Sequence, residues 1–444
     1  MRTKRFLGVW TFILLARLSS SSAPGQEANF PFPLTQYQLR NGLKVILSED
    51  YSLPLVSVVL AYRVGSVQDP PGKTGLAYFL ENMMFMGSLN IGPMQHISYV
   101  NRTGGQPNAS TTEDITYLYE TVPSNQLALV LWLESDRMKT LEINAAKTER
   151  IKQALLDEIG QRKAGEPYFE SSLAFDRLLY PDSAYSHPVL GSEEDIRNLT
   201  AEDAKNFYAV YYVPNNAVLS IVGDINLAKT KELVEKYFET IPQGKDSRVL
   251  SPPKPPEKKQ LVQVFQEPLA PRPAFHLGYR LAPSYSPDYY TLVILDYILL
   301  KGNSSRLYRR LVKKEALAFY LNGGIEKRGD AAAFKMFAMN NNDAMVDICQ
   351  KAIFSEINKL RTNYVSPEEL EKAKNMFKKD YVSRFSSSIE KAMFLAEIFF
   401  SPVGLENGPE ELGKYLKVTP FAIIGTVNRY FTPENSILLN VKIR

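Results

Sequence analysis

The chain has 444 residues, 45% of them apolar, which is too long for one typical hydrophobic core and ample for two. Its 52 basic and 48 acidic residues leave a net charge of +4, with no basic tract dense enough to neutralise a run of phosphates, so nucleic acid is not an expected partner. The single cysteine, Cys349, excludes an internal disulfide and a thiolate zinc site, and the only imidazoles, His96, His187 and His276, are too scattered to provide two ligands one helical turn apart.

Residues 1–26 read as a secretory signal: Arg2, Lys4 and Arg5 come first, then an apolar run at 6–16, then small residues. That run is 11 residues long against the roughly 20 a membrane span requires, so the mature chain is expected to carry no integral membrane segment. A mitochondrial presequence is the competing reading, since no acid precedes Glu27. An uninterrupted apolar block makes a poor amphipathic helix, so export to the periplasm or the exterior is preferred.

Further along, "LKVILSED", "LVSVVLAYRV" and "AVLSIVGDI" are β-branched runs that read as strands, the last two so continuously apolar that both faces should be buried. "GLAYFLENMMFM", "NQLALVLWLESDRM" and "AAKTERIKQALLDEIGQRK" have helical spacing, and "MMFM" reads as core packing. Five prolines interrupt residues 242–260, which we take as a linker between a domain at 30–241 and another at 261–444. Beyond it, "PDYYTLVILDYILL" and "SPEELEKAKNMFKKDYVSRF" are helical, with Ser366 and Glu369 placed as a capping box. The halves echo one another: Tyr211, Pro214, Asn216 and Leu219 recur as Tyr430, Pro433, Asn435 and Leu438, at a constant offset of 219 residues. The expected fold is α+β, two homologous domains, each an antiparallel or mixed sheet with helices packed mainly on one face.

Within "AYFLENMMF", Tyr78, Glu81 and Asn82 stand at i, i+3 and i+4 and so share a helix face. That is the geometry by which a zinc helix places two imidazoles and a carboxylate base. Together with "NGLKVILSED", "VGSVQDPPGKTGLAYFLENMMFMGS", "GGQPNASTTEDITYLYETVP", "YSHPVLGSEEDIRNLTAEDAKNFYAVYYVPNNAVLSIVGDI" and "SSRLYRRLV", this stretch resembles the insulinase/pitrilysin family of zinc metallopeptidases, two-domain proteins with the inverted motif His-x-x-Glu-His. The resemblance implies that Glu81 stands at the general-base position and Glu158, 76 positions after Asn82, at the third ligand position, with Asp157 as the fallback. Tyr78 and Asn82 stand where the imidazoles belong. A neutral phenol with a pKa near 10 and an amide oxygen are poor zinc donors, so no metal or other cofactor is expected and Glu81 reads as vestigial. His96 lies outside the i, i+4 geometry and reads as an ordinary histidine.

The resemblance also implies an arginine and a tyrosine, seven positions apart, that hold substrate from the other half. Those places fall here on Val312 and Phe319, and Tyr320, one residue on, should face the opposite side of its strand. Gly105, Asn108, Ala109 and Ser110 resemble the family's substrate strand, where close approach at Gly104 and Gly105 would let an extended peptide add to the sheet. The expected function is that of a non-catalytic member of an exported peptidase assembly, paired with a homologous subunit bearing an intact zinc motif or with a second copy, and binding extended peptides. A structural core subunit of a membrane-associated complex is one alternative. An endopeptidase whose unorthodox metal site is completed by a partner is the other.

Overall fold

The computed structural model describes residues 30–443 apart from 182, 246–258 and 330; the expected signal and most of the proline-rich stretch lie outside these. The first sheet takes β1 (Thr35–Gln38), β2 (Lys44–Glu49), β3 (Leu55–Tyr62), β4 (Gln106–Thr111), β5 (Thr116–Pro123) and β6 (Ala217–Gly223), in the spatial order β1-β2-β6-β3-β5-β4. The second takes β7 (Leu261–Glu267), β8 (Ala274–Arg280), β9 (Ala318–Arg328), β10 (Ala331–Asn340) and β11 (Ser436–Ile443), in the order β7-β11-β8-β10-β9. In each sheet one pair is parallel, β2 with β6 and β7 with β11, and the rest are antiparallel. With β1 set aside, the two sheets have one topology.

The repeated residues explain part of that symmetry. Helix Ala201–Tyr211 leads through a 3-10 turn at Pro214–Asn216 into β6, and helix Pro420–Tyr430 leads through Pro433–Asn435 into β11. Buried Asn216 donates its amide to the carbonyls of Tyr211 (2.8 Å) and Arg63 (3.3 Å). Asn435 does the same to Tyr430 (2.6 Å) and Arg280 (2.8 Å). In both halves one asparagine satisfies the carbonyl of a helix end and that of a strand end, which burial would otherwise leave unpaired.

Strand alternation shows why β3 and β6 are apolar throughout. Val56, Val58, Leu60 and Tyr62 face the helices of the first half with Leu219 and Ile221, whereas Val59, Ala61, Val218 and Val222 face a core built from the second half. What covers that second face is helix Ser388–Phe400, which crosses from the second half; its Ser388 hydroxyl meets that of Ser57 at 2.8 Å and Lys391 Nζ reaches Asp50 at 2.5 Å. Helix Phe169–Leu179 makes the opposite crossing, packing Phe175 and Leu179 against Ile437 and Leu439. Arg280 fixes its end by donating to the Leu178 (2.7 Å) and Leu179 (2.8 Å) carbonyls. The expectation of helices mainly on one face therefore describes each sheet's own helices; the remaining face is closed by a helix from the other half, because a bare apolar face would be costly. No helix among the described residues is long and apolar enough to cross a membrane.

Candidate functional site

Helix Leu76–Met83 buries Leu76, Ala77, Phe79, Leu80 and Met83, and Met84 and Met86 after it are core residues as well. Its start is fixed by Asp69, which accepts from the N–H of Gly75 (2.7 Å) and of Ala77 (2.9 Å). Gly75 has φ of +89°, a conformation that favours glycine. Burial pushes the Asp69 carboxyl up to about 8 although the two amide donors pull the other way.

This seating turns Tyr78, Glu81 and Asn82 toward helix Ala145–Gly165 and strand β4. The Tyr78 hydroxyl donates to Glu158, 3.2 Å from Oε2 and 3.5 Å from Oε1. Burial, then the charges of Glu158 and Glu81, push that phenol up to about 12, so it keeps its proton at neutral pH. Asn82 folds its amide back on its own helix, donating to the Tyr78 carbonyl at 3.0 Å. Glu81 is buried, and its Oε2 has no hydrogen-bond partner among the described residues. Burial raises its carboxyl, opposed by the hydroxyl and backbone N–H of Thr111. Asp157, the fallback, is exposed and accepts from Gln153 (2.7 Å), so Glu158 is the acid facing the helix. Tyr78 and Glu158 meet while Asn82 turns back on its own helix, and the set fits zinc poorly. Its carboxylate already accepts the hydrogen bond of a phenol, and the remaining donor is an amide suited to harder cations.

Strand β4 is the edge of its sheet, with β5 as its one partner. The bond from Thr112 N–H to the Ile115 carbonyl (2.9 Å) sets the register, so the backbone of Ser110 and Asn108 points inward and that of Thr111, Ala109 and Pro107 points to the open edge. Each outward donor is already accounted for. Thr111 N–H faces the Glu81 carboxyl, Ala109 N–H is taken by the Asn108 side chain at 2.8 Å, and Pro107 has none. Gly105 also departs from its expected part. A side chain there would meet Val122 at 2.5 Å and the Thr121 carbonyl at 2.9 Å, so its lack of one serves packing on β5; Gly104, with φ of +79°, makes the turn.

In the second half, Val312 is half-buried in the turn Tyr308–Lys314, and Phe319 is exposed with the Arg272 guanidinium 4.6 Å from its ring. Tyr320 does not alternate strictly with its neighbour. Met339 pairs with Tyr320 and Asn340 with Ala318, so Phe319 is a bulge that breaks strict alternation, and both aromatic side chains are exposed.

His96 belongs to a buried charge cluster that sequence reading missed. Its Nε2 lies 2.7 Å from Glu120 and 3.9 Å from Glu134, while Arg137 bonds Glu134 through Nε (2.9 Å) and Glu120 through Nη2 (3.3 Å). Spacing by three on helix Leu127–Thr140 hints at the Glu134 and Arg137 pair, whereas Glu120 arrives on β5 through tertiary pairing. Burial pushes His96 down to about 3 and Glu134 up to about 8, the latter opposed by the Arg137 guanidinium, which pairs with both carboxyls. Although His96, Glu120 and Glu134 could converge on a cation, Arg137 already occupies that place. His276, stacked on Phe175, and His187, near the Pro188 carbonyl, join neither this cluster nor the Glu81 site.

This is the fold of an insulinase-type metallopeptidase. Residues 44–176 match the family model "Insulinase (Peptidase family M16)" and residues 198–377 match "Peptidase M16 inactive domain". The chain belongs to the M16 peptidase family. It is 28% identical to the zinc protease PqqE of Helicobacter pylori, over 99% of this chain and 98% of that protein. It is 24% identical to the mitochondrial-processing peptidase subunit beta of Blastocladiella emersonii, over 92% and 86%. Among solved structures, a protease from Helicobacter pylori superposes with a TM-score of 0.87 at 27% identity, covering 93% of this chain and all of that one.

Proposed function

We propose that this chain is a non-catalytic subunit of an exported peptidase assembly, lending shape and stability to a homologous chain that carries an intact His-x-x-Glu-His motif. The observation that carries the reading is the bond from Tyr78 to Glu158: where the family's ligands would meet, a hydroxyl 3.2 Å from a carboxylate oxygen joins the two helices. Without the ion a water is not activated, and Glu81, at the base position, has nothing to deprotonate usefully. Pairing is supported by the relative named as a subunit, and export by the form of residues 1–26.

Extended peptides remain candidate ligands of β4, on the condition that Asn108 and Glu81 release the donors they hold. The test is to install Tyr78→His and Asn82→His together. The double variant should gain about one zinc per chain, as expected of three ligands in tetrahedral geometry. Added to a homologous subunit with an intact motif, the unaltered chain should raise peptidase activity while cleaving nothing alone. Peptide cleavage by the isolated, unaltered chain, abolished by a chelator, would overturn the proposal.

A further inference from the structure

A cavity of about 230 Å³ opens in the second half, far in sequence from Glu81, between helices Pro287–Leu299, Pro367–Ser383, Ser388–Phe400 and Gly404–Leu416. Its lining mixes polar side chains with the rings of Tyr289, Phe377, Tyr381, Phe394 and Tyr415. Of its charged groups, Arg384 is bound to Glu397 and lies 4.5 Å from the Phe394 ring centre. Asp380 accepts from the Tyr297 hydroxyl at 2.8 Å. Lys327 is exposed and has no carboxylate within 4.0 Å among the described residues. That leaves Glu411, which among the described residues has no cation within that distance, the charges of Lys327 and Arg384 acting on it from further away, and accepts a long hydrogen bond, 3.4 Å, from Tyr415.

We propose that this cavity binds a small organic cation, an ammonium or guanidinium group on a short aliphatic chain, with its charge on Glu411 and its body against the tyrosine and phenylalanine rings. Rings present negative faces to a cation, and a carboxylate beside them supplies the opposite charge, a pairing that is stronger where water is excluded. The shape agrees with that occupant, because pockets that take drug-sized ligands run from about 300 Å³ upward. Burial raises the Glu411 carboxyl, opposed by the charges of Lys327 and Arg384 and by the Tyr415 hydrogen bond. A free anion is disfavoured, since three carboxylates, Asp380, Glu397 and Glu411, line the cavity beside two cations, of which Arg384 is bound to Glu397.

Calorimetric titration of the full chain with butylammonium, and separately with neutral 1-pentanol of similar length, tests the assignment. Saturable one-to-one binding of the cation, weakened about tenfold or more by Glu411→Gln and absent for the alcohol, is expected. Glu411→Gln keeps an acceptor for Tyr415; Tyr289→Leu, on a half-buried position, is a second variant expected to weaken binding severalfold through the lost ring face. No saturable binding, equal binding of cation and alcohol, or affinity unchanged in both variants would overturn the assignment.

Discussion

The Tyr78 hydroxyl donates to Glu158 across 3.2 Å, tying helix Leu76–Met83 to helix Ala145–Gly165 at the point that the proposed function assigns to the family's metal. A hydrogen bond supplies cohesion between the helices but no Lewis acid. If it has taken over the structural part of the ion, removing it should cost stability.

Tyr78→Phe deletes the donor and little else. Chemical denaturation should show a loss of about 1 kcal/mol near neutral pH. The phenol is raised from 10.0 to about 12 in the folded chain, so its contribution is complete below pH 10 and disappears as pH rises toward 12. The stability gap between the unaltered chain and Tyr78→Phe should therefore narrow over that window, and a gap that widens there would count against the bond.

The Glu120, Glu134, His96 and Arg137 cluster gives a second pH signature. Glu134 is raised from 4.5 to about 8, so the stability tied to its proton is present at low pH and lost as pH climbs through 8. Glu134→Gln keeps a neutral hydrogen-bonding side chain in place. Its melting temperature should fall less between pH 6 and about pH 9 than that of the unaltered chain. Arg137→Met, which strands two buried carboxyls, should cost on the order of 3–5 kcal/mol.

Asn108 governs the open edge of β4. Asn108→Ala releases the Ala109 N–H, and binding of extended fluorescent peptides, read by anisotropy, should tighten by roughly two- to tenfold, the worth of one net hydrogen bond. Unchanged or weaker binding would mean that β4 does not accept peptides through that donor.

Much of this was legible in the sequence because it is local. The spacing of Tyr78, Glu81 and Asn82 and the strand runs of β3 and β6 lie within short windows whose period fixes the backbone, and the echo of Asn216 in Asn435 joins two windows of the same local pattern. Glu158 was reachable only through the family resemblance, and its choice over Asp157 follows from which side of a helix faces a neighbour. The crossing helices were not legible, since nothing in "SIEKAMFLAEIFF" says which sheet it covers. Nor was the bulge at Phe319, which depends on register with β10, or the capture of Ala109 N–H by a rotamer of Asn108.

The most direct test of the central claim is the zinc content of the unaltered chain, purified without chelator and measured by mass spectrometry alongside an assay of peptide cleavage. The account expects zinc well below one ion per chain, no cleavage, and no change in either with Glu158→Gln. One zinc per chain, lost in Glu158→Gln together with a chelator-sensitive activity, would contradict it.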